Sequence, residues 1–181
     1  IYRVIGKKYI KNNYKINSIE TKKIISNLKI KDLYKKDLLS DEIGSAASII
    51  AKKKYIRKLV YNFQRKCAYS PPKNYKGSVL DGRDCTSVIV PDADFKFFIT
   101  ASVKIRAKRR YLELKRLKSR LSLSEVLKSI KKRDKSDINR KISPLKKTKD
   151  SILINTTNLT KKACFLKIKK IMDKKLSNAG L

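Results

Sequence analysis

The chain has 181 residues, of which 41% are hydrophobic and 35% charged, so it has the composition of one domain with a buried core and not of a disordered tail. Its formal net charge of +33 favours a polyanionic partner such as RNA, DNA or an acidic membrane surface. Most of the excess is lysine, however, and it accompanies abundant isoleucine and asparagine. That mixture is typical of an A- and T-rich genome, which we favour over a dedicated nucleic-acid surface as its origin.

The residue types that are scarce exclude several chemistries. There is no histidine, and Cys67, Cys85 and Cys164 show no C-x-x-C spacing, so we expect no metal site and no histidine-dependent nucleophile. Scattered cysteines suit a reducing compartment, which predicts a cytoplasmic location. No apolar run approaches the roughly 18 residues of a membrane span, and the start of the chain lacks a signal peptide's apolar stretch. A start at Ile1 instead of methionine suggests either a fragment or a wrongly assigned start.

The first seventy residues are predicted to be helical. Residues 1–10 have the pattern of the end of a helix, whereas residues 12–40 have only a weak apolar stripe, which predicts an excursion outside the core. From Asp41 onward a stronger stripe predicts two helices that join near residues 52–54 and end before the prolines at 71–72. The stripe consists of Ile43, Ala46, Ala47, Ile50, Ile56, Leu59, Val60 and Phe63.

Residues 77–101 are predicted to contain two short strands separated by turns and an extended piece. Val79-Leu80 and residues 95–99 are apolar runs bounded by glycine, aspartate and proline, as is typical of buried parallel strands. Arg83 and Asp84 follow the first run directly. Ligands of α/β proteins bind beyond the carboxyl ends of strands, so this pair is a candidate binding site.

The remainder alternates helices with a third strand. An apolar stripe from Val103 to Leu117 predicts one helix, and Ser122 with Glu125 forms a capping box for a second that runs to about Arg140. Residues 152–154 are predicted to form a strand, and Thr160 is predicted to cap a last helix. This last helix is predicted to face inward through Cys164, Ile168, Ile171 and Met172. The alternation predicts an α/β fold with a parallel sheet.

Two groups of charged side chains are further candidates, and each has a simpler explanation. Arg133, Asp137 and Arg140 fall on one helical face, where two guanidinium forks and a carboxylate suit a phosphate and a sugar hydroxyl. Taken alone, exposed ion pairs explain this face better. The cluster Arg106, Arg109 and Arg110 is either a solvated face or an anion clamp.

The remaining candidates are weaker on their own. Ser48 and Arg57 lie nine residues apart, a spacing that carries almost no signal. Arg83 and Asp84 together suit a phosphate and a hydrogen-bond donor of one small molecule. Their place at the end of a predicted strand favours this interpretation, and a local salt bridge in a turn is the alternative.

Taken in order, these segments resemble the bacterial cytidylate (CMP/dCMP) kinases. The resemblance runs from residue 1 to about residue 176. It rests on IYR, on AAS followed by Arg57, and on DGRD with VPDADFKFFI, followed by ASVKIRAKRRYLEL, RDKSDINRKISPL and ILIN. The family implies the three-layer α/β fold of P-loop NTPases of the nucleoside monophosphate kinase type, with a parallel sheet. It also implies one kinase domain over residues 1–181, with a monophosphate-binding region at about 12–66 and a short lid at about 106–125.

The resemblance implies a phosphotransferase that moves the γ-phosphoryl group of ATP, with Mg²⁺, to CMP or dCMP. It further implies a monomer without membrane or nucleic-acid partners. The resemblance assigns roles to the candidate residues. Substrate contacts are implied for Arg3, Ser48, Arg57, Arg83, Asp84 and Asp137, and catalytic roles beside the transferring phosphate for Arg133, Arg140, Arg109 and Arg110. Within these sets, the resemblance implies that the cytosine edge is read by Ser48, Arg57 and Asp84. It implies that the phosphate is bound by Arg3, Arg83, Arg133 and Arg140, and the sugar by Asp137.

The chain departs from the family pattern in three respects. Nothing in the 181 residues matches the first strand and the P-loop motif G-x-x-x-x-G-K-[ST] that precede IYR in the family. Thr86 and Ser87 stand where the family commonly has Gly-Thr, and Asn155 stands where it commonly has Asp. We therefore expect these residues alone to bind CMP poorly and to be inactive. An alternative is a non-catalytic, basic RNA-binding or ribosome-associated remnant, which RNA affinity persisting at high salt would favour.

Overall fold

A computed structural model describes residues 1–117 and 120–178, apart from the side chain of Ile30. Eight α-helices and two strands are found in this part of the chain. The helices are α1 (Tyr2–Lys11), α2 (Ser18–Ser26), α3 (Ile30–Leu33), α4 (Asp41–Ile50), α5 (Lys54–Tyr69), α6 (Val103–Arg116), α7 (Leu123–Asn139) and α8 (Lys161–Asn178), and the strands are β1 (Phe97–Thr100) and β2 (Ile152–Asn155). No helix in these ranges is long and apolar enough to cross a membrane.

The chain forms two compact units. The first contains residues 1–90 and 137–145, and the second contains residues 91–136 and 146–181. The boundaries of the predicted monophosphate-binding and lid regions, at about 12–66 and 106–125, remain predictions.

The first unit is built around an apolar core between α1, α4 and α5. The stripe predicted for α4 and α5 is confirmed, since Ile50, Ile56 and Val60 are fully buried beside Ile5 of α1. Helices α1 and α4 lie so close that a Cβ added to Gly6 would be 3.0 Å from the backbone nitrogen of Ala47. Small residues at this crossing therefore allow the two backbones to approach each other.

The prediction that residues 12–40 lie outside the core is wrong for part of this stretch. Ile16, Thr21 and Leu38 are buried, and a capping box between Asn17 and Glu20 starts α2. The cap and the buried side chains give these residues helical structure although their apolar periodicity is weak.

The strand predicted at Val79-Leu80 is also wrong. Residues 77–80 are irregular, and Val79 is fully exposed. The extended piece expected after Asp84 is instead a π-helical turn, Cys85–Ile89, in which Ile89 N donates to Asp84 O at 3.2 Å. The backbone groups of this turn thus bond locally, whereas a strand needs a neighbouring chain to bond with.

The second unit contains the parallel sheet and confirms most predictions for the later part of the chain. Strands β1 and β2 pair in parallel, with Phe97 opposite Ile152. The capping box of α7 is present, since Ser122 N donates to Glu125 Oε2 at 2.7 Å and Glu125 N donates to Ser122 Oγ at 3.2 Å. Thr160 caps α8 as predicted. The face of α8 predicted to point inward is only half-buried.

Candidate functional site

A buried ion pair between Arg57 and Asp84 lies in the first unit. Nη2 of Arg57 donates to Oδ2 of Asp84 at 2.9 Å, and each residue is only 7% exposed. Helix α5 supplies Arg57 near its start, and Asp84 directly precedes the π-helical turn. Because a buried charge without a partner is strongly destabilising, each group requires the other to remain inside the protein.

Tyr2 adds an aromatic wall to this pair. Its hydroxyl accepts a hydrogen bond from Nη1 of Arg57 at 3.2 Å, and the guanidinium carbon lies 5.8 Å from the ring centre. Burial raises the pKa of Tyr2 to about 12, and the charge of Asp84 adds to the rise while Arg57 and Arg140 oppose it. Tyr2 is therefore a neutral phenol at physiological pH. It was not predicted as a site residue, although it belongs to the IYR motif.

A second carboxylate extends the cluster. Arg140 lies between both carboxylates, with Nη2 3.9 Å from Oδ1 of Asp84 and Nη1 3.7 Å from Oδ1 of Asp137. Arg83 then donates from Nε to Oδ2 of Asp137 at 3.0 Å. We call Arg57, Asp84, Arg140, Asp137 and Arg83 the charge cluster.

A tight turn after α7 orients Arg140. The amide of Leu145 donates to the carbonyl of Asp137 at 2.8 Å, and Nε of Arg140 donates to the carbonyl of Ser143 at 2.5 Å. Ser143 has a left-handed backbone with φ of 49°, which is uncommon for a residue other than glycine. Burial, and then the nearby positive charge of Arg57, lower the pKa of Arg140. The turn therefore holds this guanidinium in a place where its charge is costly.

The charge cluster has hydrogen-bonding capacity that the described residues do not use. Three guanidinium groups face two carboxylates, which leaves one net positive charge. In the described parts of the chain, three buried polar atoms have no hydrogen-bond partner: Nε of Arg57, Nη2 of Arg140 and Oγ of Ser87. Buried polar atoms are usually paired, so this arrangement suits a polar ligand that accepts hydrogen bonds and carries negative charge.

Two other predicted substrate contacts in the first unit have different surroundings. Arg3 donates from Nη1 to the carbonyls of Leu38 and Ser40, the latter at 3.2 Å, just before α4 begins. Ser48 is half-buried on α4.

In the second unit, two of the predicted arginines make structural contacts. Arg106 forms a two-pronged ion pair with Asp134, at 2.9 and 2.7 Å. Arg109 donates to the carbonyls of Thr156 and Leu159 at 2.6 and 3.1 Å and to the Thr156 hydroxyl at 3.1 Å. Arg109 thus connects α6 to the turn that follows β2.

The remaining two candidates of the second unit differ in exposure, since Arg110 is half-buried. Arg110 pairs with Glu113 at 2.7 Å one turn along α6, and Arg133 is exposed on α7. The catalytic roles predicted for Arg109, Arg110, Arg133 and Arg140 stay predictions.

Comparison with known proteins gives one consistent family. A sequence model described as cytidylate kinase matches residues 5–174. A protein named cytidylate kinase from Clostridium botulinum (strain Loch Maree / Type A3) is 34% identical over 189 residues, covering 96% of this chain and 80% of the relative. One of the same name from Mesomycoplasma hyopneumoniae (strain 7448) is 36% identical over 174 residues, covering 96% of this chain and 72% of the relative.

Cys85 offers a chemical probe of burial next to Asp84. The residue is 9% exposed, and burial, helped by the charges of Asp84 and Asp81, raises the pKa of its thiol to about 11. At pH 8 only about one such thiol in a thousand is ionised, and the thiolate is the reactive form. Iodoacetamide should therefore modify Cys85 at least about 100-fold more slowly than the exposed Cys67.

Peptide mass spectrometry over time would measure both rates in the native chain. In urea the two rates should converge, which controls for intrinsic reactivity. Equal rates in the native chain would show that the Asp84 region is open.

Proposed function

Because the chain belongs to the cytidylate kinase family, whose fold is that of the P-loop NTPases, we propose that its charge cluster binds CMP or dCMP as the acceptor of the γ-phosphoryl group of ATP. The products are CDP or dCDP. The observation that carries this proposal is a pair of buried donors without a hydrogen-bond partner in the described chain, Nε of Arg57 and Nη2 of Arg140. Both arginines pair with the buried carboxylate of Asp84. Guanidinium donors beside a carboxylate acceptor are complementary to a nucleotide, which offers hydrogen-bond acceptors, one amino group and a phosphate.

The cytosine edge is assigned to Asp84, Arg57 and Ser48. Cytosine presents an amino donor beside acceptors, and the carboxylate of Asp84 is an acceptor only. Nε of Arg57 is a buried donor without a partner in the described chain, so it suits a cytosine acceptor. Ser48 contributes a hydroxyl from α4. The hydroxyl of Ser87 is a further donor, at a position where the sequence departs from the family pattern.

The phosphate and sugar of CMP are assigned to the other side of the cluster. Asp137 has both carboxylate oxygens within 3.7 Å of guanidinium nitrogens, and a sugar hydroxyl would donate to it. Arg83 and Arg140 supply the forks for the phosphate, and Nη2 of Arg140 is buried without a hydrogen-bond partner in the described ranges. Arg3 and Arg133 complete the phosphate ligands.

Catalytic assistance is assigned to Arg109, Arg110, Arg133 and Arg140. A guanidinium group neutralises charge on the phosphoryl oxygens during transfer. Within the second unit, Arg109 donates three hydrogen bonds to the turn after β2.

We assign none of these 181 residues as a ligand of Mg²⁺ or of the ATP phosphates. In the described ranges no three Asp, Glu, Cys or His side chains form a metal-binding group, and the sequence printed contains no G-x-x-x-x-G-K-[ST]. P-loop enzymes grip the β- and γ-phosphates with that loop. We therefore expect these 181 residues alone to form no CDP from ATP and CMP in a coupled assay, and measurable turnover by this chain would contradict that expectation.

The substitution Asp84→Asn tests the base-reading role. The amide keeps the size of the side chain but replaces one acceptor oxygen with a donor group that faces the cytosine amino group. Loss of a hydrogen bond to a charged group is worth about 1.5–3 kcal/mol, so the CMP dissociation constant should rise about 10- to 150-fold. Titration calorimetry of the 181-residue chain measures it directly.

The matched control is Glu42→Gln, which makes the same chemical change at an exposed position of α4 in the same unit. It should leave CMP affinity within about twofold. Equal CMP affinity of Asp84→Asn and the unsubstituted chain would remove Asp84 from the site.

A further inference from the structure

Helix α5 carries a stripe of alternating arginine and tyrosine at intervals of four residues: Arg57, Tyr61, Arg65 and Tyr69. Residues four apart on a helix are neighbours on its surface. The guanidinium carbon of Arg65 lies 5.7 Å from the ring centre of Tyr61 and 4.5 Å from that of Tyr69. Both distances are in the range of cation–π attraction, so the two rings hold the half-buried Arg65 side chain in one orientation.

The orientation of Arg65 directs it at the π-helical turn. Nη1 of Arg65 donates to the carbonyl oxygen of Ile89 at 2.9 Å. Ile89 is the last residue of that turn and is 3% exposed. The last carbonyls of any helical segment lack partners within the segment, and a buried one needs a donor from elsewhere.

Helix α5 therefore grips the segment from Asp84 to Ile89 at both ends. Arg57 holds its first residue through the Asp84 carboxylate, and Arg65, eight residues later on the same helix, holds its last residue through a carbonyl. The segment itself is weak, since π-helical geometry is rare and this one is a single turn closed by bonds such as Val90 N to Cys85 O at 2.8 Å. Its conformation thus depends on these two side chains.

We propose that Arg65 is a positioning residue for the base-reading site: it fixes the π-helical turn and thereby the direction of the Asp84 carboxylate and the Ser87 hydroxyl. The part that concerns CMP rests on the proposed function, whereas the grip on the turn does not. Arg65 reaches the site through Ile89 and is not itself a ligand of the nucleotide. No charge in the charge cluster changes when Arg65 is replaced, so an effect on CMP binding would come from geometry.

The test compares Arg65→Met, which keeps the aliphatic stem, with Lys66→Met, which removes the same charge from the adjacent exposed position. Hydrogen exchange followed by NMR reports on the turn without any ligand. In Arg65→Met the amides of Ile89 and Val90 should exchange at least about tenfold faster, while those of α1 and α4 stay unchanged. Lys66→Met should leave the amides of the turn unchanged.

Calorimetric CMP titrations of the same variants test the functional part. Arg65→Met should weaken the affinity for CMP about tenfold. Arg65→Lys, which keeps a hydrogen-bond donor, should lose less affinity than Arg65→Met. If Arg65 acts through Asp84, both substitutions impair the same contact between Asp84 and CMP. Adding Arg65→Met to a chain that already carries Asp84→Asn should therefore lower the affinity for CMP by less than about twofold. A purely structural loss would be of similar size in both backgrounds.

Unchanged hydrogen exchange at Ile89 and Val90 in Arg65→Met would show that Arg65 does not hold the π-helical turn in place. Faster exchange with CMP affinity unchanged would overturn the positioning role. Because these 181 residues are expected to bind CMP weakly, the titrations need CMP in large excess. An unsubstituted chain that binds no CMP under those conditions would contradict the proposed function instead, and the exchange data would still decide whether Arg65 holds the turn.

Discussion

The ion pair between Arg57 and Asp84 is the interaction on which the rest of the site depends. Burying two charges is expensive, and apolar residues of the same size would often be at least as stable. Here the pair joins α5 to the start of the π-helical turn, and Tyr2 and Arg140 complete its surroundings. The pair does not use up the donors of its arginine, since Nε stays buried without a partner in the described chain. A polar ligand would repay part of this cost, which is why we regard the pair as a binding device and not as a fold determinant.

The charge balance around the pair is compatible with the proposal that one small region binds both ends of CMP. Asp84 is held by Arg57 and Asp137 by Arg83, and Arg140 lies within 4 Å of both carboxylates. Arg140 lies between them in a place where burial disfavours its charge. An incoming phosphate would stabilise that guanidinium, and the excess of one positive charge already favours an anion. The extreme net charge of the whole chain is a separate matter, since most of it comes from lysines elsewhere in the sequence.

Sequence reasoning predicted the helices well because their signals are local. Apolar periodicity located α4 to α7, and Ser122, Glu125 and Thr160 marked two helix starts. It failed at Val79-Leu80, because an apolar pair becomes a strand only where another chain segment supplies hydrogen bonds. Spacing alone gave Ser48 and Arg57 almost no weight, and the family resemblance supplied their roles. Tyr2 and Arg65 were missed because their importance comes from contacts 55 and 24 residues away, although the Arg-Tyr stripe on α5 was visible.

Above all, we propose that the buried carboxylate of Asp84 accepts a hydrogen bond from the amino group of cytosine. Uracil carries a carbonyl oxygen in place of that amino group, and an oxygen facing Asp84 would be repelled. The most direct measurement is a pair of calorimetric titrations of the 181-residue chain, with CMP and with UMP, under identical conditions. We expect CMP to bind at least about tenfold more tightly than UMP. Equal affinity for the two nucleotides would contradict it.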